Sequence, residues 1–297
     1  MFSSNPCNLC PRLCGVDRTA NTGFCGCGSN VKVARAALHF WEEPCISGKN
    51  GSGTVFFSGC TLRCCYCQNR EISTGGFGKE VTTKRLAEIF LELQQKGAHN
   101  LNLVTATQYL PQILEALEMV KGRLQIPVVY NCGGYERVET VRALESTVDI
   151  FLPDLKYYSG ALARDYSGSA DYFAVASAAV QQMVAQTGPP VFLENGLLQK
   201  GVIVRHLVLP GARADSIAIL RWIAENLPRG GYLLSLMSQY TPAVKNTGYA
   251  QLNRRITSLE YNAVVAEAVR LGLTDGYMQE KSSAREEYTP PFDLEGV

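Results

Sequence analysis

The stretch Thr54-Val55-Phe56-Phe57-Ser58-Gly59-Cys60-Thr61-Leu62-Arg63-Cys64-Cys65-Tyr66-Cys67-Gln68-Asn69 runs from an apolar, strand-like segment into a cysteine-rich loop. Three of its cysteines are spaced Cys60-x3-Cys64-x2-Cys67. Thiolates this close, on a loop leaving a strand, can converge on one soft metal centre, and iron–sulfur clusters select thiolate ligands. A cube of four irons held by three protein thiolates keeps one iron open to a substrate or cofactor. Three clustered thiols suit a closed, four-ligand zinc site poorly. Cys65, adjacent to Cys64, must point elsewhere and reads as a small buried side chain.

Outward from this loop the chain alternates between strand and helix patterns. After the first strand, Thr54 to Phe57, helix 84–96 carries Leu86, Ile89, Phe90 and Leu93 on one face. Strand Leu101-Asn102-Leu103-Val104 leads to helix 111–121, with Pro111 at its start and Gly122 as its stop. Strand 127–130 precedes helix 136–145, strand 148–152 precedes helix 170–186, and strand 202–209 precedes helix 214–226. Strand 232–236 leads to helix 257–271, opened by the capping box Thr257-x-x-Glu260. Six β-α units in series predict an α/β fold with a parallel sheet and outer helices. The expected closure is a partial (β/α)6 TIM-like barrel; a doubly wound open sheet is its rival. Both place chemistry at the C-terminal ends of the strands, where the cysteine loop begins.

Residues 1–30 form a short segment poor in large apolar side chains, with Cys7-x2-Cys10-x3-Cys14 and then Cys25-x-Cys27 among Gly and Pro. Such a segment cannot bury enough surface to fold alone, so a bound metal is expected to organise it. Cys7, Cys10, Cys14 and Cys25 are the expected ligands, because Cys27 lies too near Cys25 for both to chelate one ion. A second iron–sulfur cluster and a structural zinc both suit the set, with a lean to the cluster. Residues 31–52 read as a connector ending in Gly48-Lys49-Asn50-Gly51-Ser52-Gly53, a turn. Residues 53–297 then form the barrel with a C-terminal helical extension.

Composition limits the function classes. With 46% hydrophobic and 19% charged residues the chain has a substantial core and is not disordered. Lys and Arg number 28 against 27 Asp and Glu, and no basic excess points to nucleic acid. Of eleven cysteines all but Cys132 fall in the first 67 residues, unlike a secreted disulfide scaffold. The start has neither a basic n-region nor an apolar h-region, and no run approaches a membrane span. The expected setting is therefore cytoplasmic, with reduced thiols serving as metal ligands.

The cysteine loop, with Tyr66 before its last cysteine, resembles the signature of radical S-adenosylmethionine (SAM) enzymes. From about Cys7 onward the chain is similar to the subgroup related to pyruvate formate-lyase activating enzymes, closest to uncharacterised members with an N-terminal Cys-x2-Cys-Pro-Arg-x-Cys element. The resemblance implies a [4Fe–4S] cluster on Cys60, Cys64 and Cys67, SAM as cofactor beside Tyr66, and a reducing partner such as flavodoxin or ferredoxin. In such enzymes the reduced cluster cleaves SAM to a 5′-deoxyadenosyl radical that takes hydrogen from the substrate. Here Thr105 and Thr107 stand where relatives place a Gly-Gly-Glu stretch that binds the SAM amino group, so their hydroxyls and backbone carbonyls are assigned that task. Asn131 stands where activating enzymes carry an Asp for a monovalent cation. Asp154 and Lys156 match an Asp-Leu-Lys element at the methionyl end of SAM. Gln239 falls where relatives present a His near the ribose.

Arg205 interrupts an apolar strand and is costly there unless paired; facing the barrel mouth, it could bind a carboxylate of SAM or of substrate. His206 alternates to the other face as a core histidine, and Cys132 reads as a packed small hydrophobe. No histidine metal site is expected from His39 or His99.

Three readings of function follow. The chain activates a glycyl-radical enzyme by taking hydrogen from a backbone glycine of that partner. Alternatively it modifies a small molecule, peptide or nucleic acid by the same radical chemistry. In a different class, it is a non-catalytic iron–sulfur or zinc protein, or an electron carrier.

Overall fold

The computed structural model describes residues 5–242, 248–279 and 289–297. Its strands are β1 Val31–His39, β2 Ser52–Phe57, β3 Lys79–Val81, β4 Leu101–Val104, β5 Val128–Cys132, β6 Ile150–Pro153, β7 Val191–Phe192, β8 Leu198–Leu207, β9 Leu233–Met237 and β10 Gly276–Met278. The helices are α1 Pro44–Ser47, α2 Arg70–Ser73, α3 Thr83–Gln95, α4 Leu110–Met119, α5 Val138–Ala143, α6 Gly160–Ser167, α7 Tyr172–Thr187, α8 Arg213–Asn226 and α9 Ser258–Arg270. The strands form one sheet in the order β10-β9-β8-β6-β5-β4-β2-β1-β3, with β7 beside β8. From β2 through β10 along this path every pairing is parallel.

These parallel strands follow one another in chain order without reversal. A doubly wound sheet requires a point where the order turns back, so the arrangement is the partial barrel, and its sheet is not closed. Side-chain alternation explains its two apolar layers. Val55, Phe57, Leu103, Tyr130, Phe151, Val202, Val204 and Leu236 meet the helices. On the other face Val129, Ile150, Leu152 and Ile203 fill the lower lumen around Cys45 and Ile46 of α1. Continuing along the lumen face, the same periodicity brings Asn131, Asp154, Arg205 and Ser235 to its upper part. Burial on both faces leaves every residue of β2 buried, and its last three, Val55-Phe56-Phe57, run apolar rather than alternating.

Two expectations are corrected. The stretch 31–52 is more than a connector: Val31–His39 is a strand antiparallel to β2, with His39 opposite Ser52. Its Ala-rich sequence carries little strand propensity, and pairing with both β2 and β3 supplies what propensity does not. Beyond α9 the described residues continue as the parallel strand β10 rather than as helix, and residues 280–288 of the expected helical extension lie outside the described residues. Residues 289–297 hold no helix; Leu294 N–H donates to Ala34 O, and Ala36 N–H to Glu295 O. The expected capping box is present at Thr257 and Glu260. Among the described residues no helix is long and apolar enough to cross a membrane.

Candidate metal and cofactor site

The cysteine loop leaves the C-terminal end of β2 and is tied down at several points. Gly59 takes φ 83°, a left-handed conformation open to glycine, and a side chain there would run into Cys27 Sγ. Gly59 N–H donates to Ile72 O, Cys60 N–H to Cys25 O and Cys65 N–H to Tyr166 O. The Gln108 amide bridges from the loop after β4, donating to Ser58 O at 3.0 Å, Gly59 O at 3.2 Å and Thr105 O at 2.7 Å. The loop is thus held by the N-terminal segment, α2, α6 and the turn after β4.

Cys60, Cys64 and Cys67 lie close enough to oppose one another's ionisation. Burial first, then Cys64 and Cys67, push the Cys60 thiol up to about 12. Burial and then Cys64 raise Cys67. Thiols that resist ionising together call for a cationic centre, which inverts that preference. Among the described residues no three Cys, His, Asp or Glu side chains close on the volume of a single ion. An all-thiolate set of three suits an iron–sulfur cluster, which can keep one iron open, better than a closed four-ligand zinc site. None of the eleven cysteines, all of them among the described residues, forms a disulfide. The hydroxyls of Tyr66, Tyr157 and Ser167 form a chain with steps of 2.7 and 2.8 Å, and Ser167 Oγ donates onward to Cys64 Sγ at 3.0 Å. Such bonds to a ligand sulfur tune a cluster.

Facing the thiols across a cavity of about 190 Å³ are Asp154, Lys156, Arg205 and Gln239, with Tyr66, Cys64 and Cys67 on the near wall. Lys156 Nζ donates to Asp154 Oδ2 at 2.6 Å, and Arg205 Nε to Asp154 Oδ1 at 3.0 Å. Burial alone would raise the Asp154 carboxyl, but Arg205 and Lys156 hold it below its ordinary value. Arg205 also donates to Glu42 Oε2 at 3.1 Å and Asn131 Oδ1 at 2.6 Å. The Glu42 carboxylate accepts from Asn102 and Asn131, each at 3.1 Å. Gly134, at φ 76°, packs against Asp154 so closely that a side chain would meet the Asp154 carbonyl.

The structure therefore brings Tyr66, Asn131, Asp154, Lys156, Arg205 and Gln239 to the same end of the barrel as the thiols. Thr107 is placed elsewhere: its hydroxyl is buried and donates to Glu136 Oε1 at 2.6 Å. Thr105, half-buried at the end of β4, takes a left-handed φ of 58°. Arg205 is already engaged by carboxylates of its own chain. His206 bonds Leu155 O and Ser216 Oγ, and burial lowers it to about 4, as suits a core histidine. Cys132 is buried, whereas Cys65 is only half-buried. In the N-terminal segment Cys7 interacts with Cys14, and Cys10 feels Cys25 and Cys7. Cys14 and Cys25 flank Gly23, while Cys27 Sγ bonds Ser58 O at 3.3 Å beneath the cysteine loop. Sequence reasoning missed Glu42, Tyr157 and Ser167. Each reaches the site through contacts distant in sequence, and only the acidic pair Glu42-Glu43 beside Pro44 offered a local signal.

Residues 54–181 match the family model described as the Radical SAM superfamily. That family implies a [4Fe–4S] cluster and SAM. The chain is 29% identical over 279 residues to an uncharacterized protein, MJ0674, of Methanocaldococcus jannaschii, covering 90% of this chain and 75% of that one. Among solved structures it resembles HydG, a maturase of the [FeFe]-hydrogenase, with TM-score 0.50 and 15% identity over 77% of this chain and 52% of that one. Methylornithine synthase (PylB) matches at TM-score 0.45 and 17% identity, covering 76% of this chain and 60% of that chain. The chain thus spans little more than half the length of these two enzymes. The HydG likeness concerns the fold alone.

Proposed function

We propose that this protein is a radical SAM enzyme that uses a [4Fe–4S] cluster on Cys60, Cys64 and Cys67. The observation that carries this reading is the cavity with two of these thiols on one wall and the polar ends of β6, β8 and β9 on the other. When bound, the cluster and SAM supply one-electron cleavage to methionine and a 5′-deoxyadenosyl radical, which takes a hydrogen atom from the substrate.

The chain's own residues provide orientation. Asp154 is held ionised between Lys156 and Arg205 and is placed to accept from the SAM amino group. Lys156 faces the same cavity and suits its carboxylate. Gln239 offers an amide to the ribose, and Tyr66 closes the wall beside the cluster. Buried aromatic rings of Tyr157, Tyr166 and Tyr240 surround Tyr66, shielding a reactive radical from water. Thr107 is left out of this assignment because Glu136 engages its hydroxyl; the Thr105 carbonyl and hydroxyl remain at the strand end. The N-terminal Cys7, Cys10, Cys14 and Cys25 are read as a second metal site that a cluster or a structural zinc would suit, with a lean to the cluster. A reducing donor such as flavodoxin or ferredoxin delivers the electron.

The deciding experiment uses anaerobically reconstituted, reduced protein. SAM should alter the cluster EPR signal and yield 5′-deoxyadenosine, and Cys60→Ala, Cys64→Ala or Cys67→Ala should abolish both. An unchanged signal with SAM would mark the cysteines as structural or electron-carrying. Glycyl-radical activation, the narrower reading, predicts that label on a partner glycine enters 5′-deoxyadenosine; label from a metabolite instead would remove it.

A further inference from the structure

The loop between β1 and β2 rises into the barrel from below. It is pinned there by Asn100, whose Nδ2 donates to Ile46 O at 2.8 Å, and by Ser47 Oγ, which accepts from Glu42 N–H at 3.0 Å. Glu42 is consumed by Asn102, Asn131 and Arg205. Its neighbour Glu43 is different: 92% of its surface is buried, from an exposure of 8%, yet its Oε2 has no hydrogen-bond partner among the described residues. A buried acceptor without a donor is costly and rare in native proteins. Glu43 lines a chamber of about 400 Å³, a size suited to a small ligand, together with Phe40, Trp41, Ser235, Tyr277 and Met278. Arg205, Met237 and Gln239 line both this chamber and the cavity beside the cysteine loop.

The character of this wall selects its ligand. The second orphaned polar atom on the lumen side is also an acceptor, Asn102 Oδ1. Glu42 and Glu43 put two carboxylates on the chamber, and the one cation among its described lining residues, Arg205, is turned to Asp154, Glu42 and Asn131. Burial raises the Glu43 carboxyl, opposed chiefly by Arg205, and a cation at Oε2 would favour its ionised form. Trp41 and Phe40 offer ring faces that attract cations, and Met237 and Met278 supply adaptable apolar walls.

We infer that this chamber binds a protonated amine carried on an apolar arm, with Glu43 as the residue that receives the ammonium group and so determines substrate class. Resting on the radical SAM reading, this places the arm between Glu43 and the shared wall of Arg205, Met237 and Gln239, where its carbon–hydrogen bonds face the cofactor cavity.

Trp41 is one of two tryptophans, so a Trp222→Phe background makes it the sole fluorescent reporter. Reconstituted holoprotein is titrated with 1-hexylammonium, 1-hexanol and hexanoate at constant ionic strength. Hexylammonium should bind at least about tenfold more tightly than hexanol, the range of a charged hydrogen bond, and hexanoate more weakly still. Glu43→Gln should erase the preference, and Glu43→Asp should weaken binding while keeping it. Equal binding of amine and alcohol, or a preference that survives Glu43→Gln, overturns the assignment. If Glu43→Gln fails to fold, the three-ligand comparison with the unsubstituted protein and Glu43→Asp decides. The SAM-dependent EPR change is read on the same samples. Amine preference without that change would refute the cofactor reading and leave the chamber standing, and the reverse would refute the chamber.

Discussion

Replacing Arg205 with Met tests the network at the barrel mouth most directly. Arg205 and Lys156 balance Glu42 and Asp154, four charges in a buried cluster with side-chain exposures between 11% and 18%. Met retains much of the arginine stem's volume, so the loss is chiefly electrostatic. Three hydrogen bonds vanish, and Glu42 and Asp154 keep only Lys156 and the two asparagines for compensation. Breaking a buried pair costs about 3–5 kcal/mol, which for a chain of this size lowers the melting midpoint by roughly 5–8 °C. The sign with pH follows from the carboxylates. With Arg205 in place Asp154 is lowered, and its stabilisation is present above the unfolded value and lost as pH falls through the folded one. Without Arg205 both acids rise, so the deficit of the variant is greatest at neutral pH and shrinks on acidification as they take up protons. Melting of reconstituted protein at one fixed scan rate, at pH 7.5 and pH 5, measures both effects. Adding Glu42→Gln to Arg205→Met should recover part of the loss at pH 7.5. A variant melting within about 1 °C of the parent at pH 7.5 would show that the network carries no such load.

Burial lifts Glu136 to about 8, opposed by its bonds to Thr107 and Tyr130. The folded chain therefore holds a proton that the unfolded chain has released, and stability falls as pH rises from about 4.5 to 8. Glu136→Gln should remove that slope and melt above the parent at pH 9; parallel pH profiles would contradict it. Ser167→Ala deletes a hydrogen bond to Cys64 Sγ, which should lower the cluster's reduction potential in an EPR-monitored titration, while Ser167→Thr preserves it; an unmoved potential would detach Ser167 from the cluster. Gly134→Ala forces a side chain against the Asp154 carbonyl at a positive φ. It should cost more than about 1 kcal/mol in urea unfolding and weaken SAM binding through Asp154, and a silent substitution would remove Gly134 from the support of the site.

The local content of the chain made much of this legible. Cys60, Cys64 and Cys67 are close in sequence, so their spacing already states that they can share a centre. The helix faces on α3, α4 and α8, the Thr257–Glu260 cap and the alternation along β8 are each short-range patterns, and they sufficed for the partial barrel. Tertiary structure decided what those patterns cannot encode. The partners of Arg205 lie 51, 74 and 163 residues away along the chain, and the hydroxyl next to Cys64 comes from 103 residues away. Thr107 seemed free as a sequence but is claimed by Glu136, 29 positions later. Val31–His39 became a strand because β2 and β3 offered it edges, and that strand carries Glu42 and Glu43 into the lumen. A side chain's chemistry is written where it stands in the chain, but its pairing, burial and charge state belong to whatever the fold sets against it.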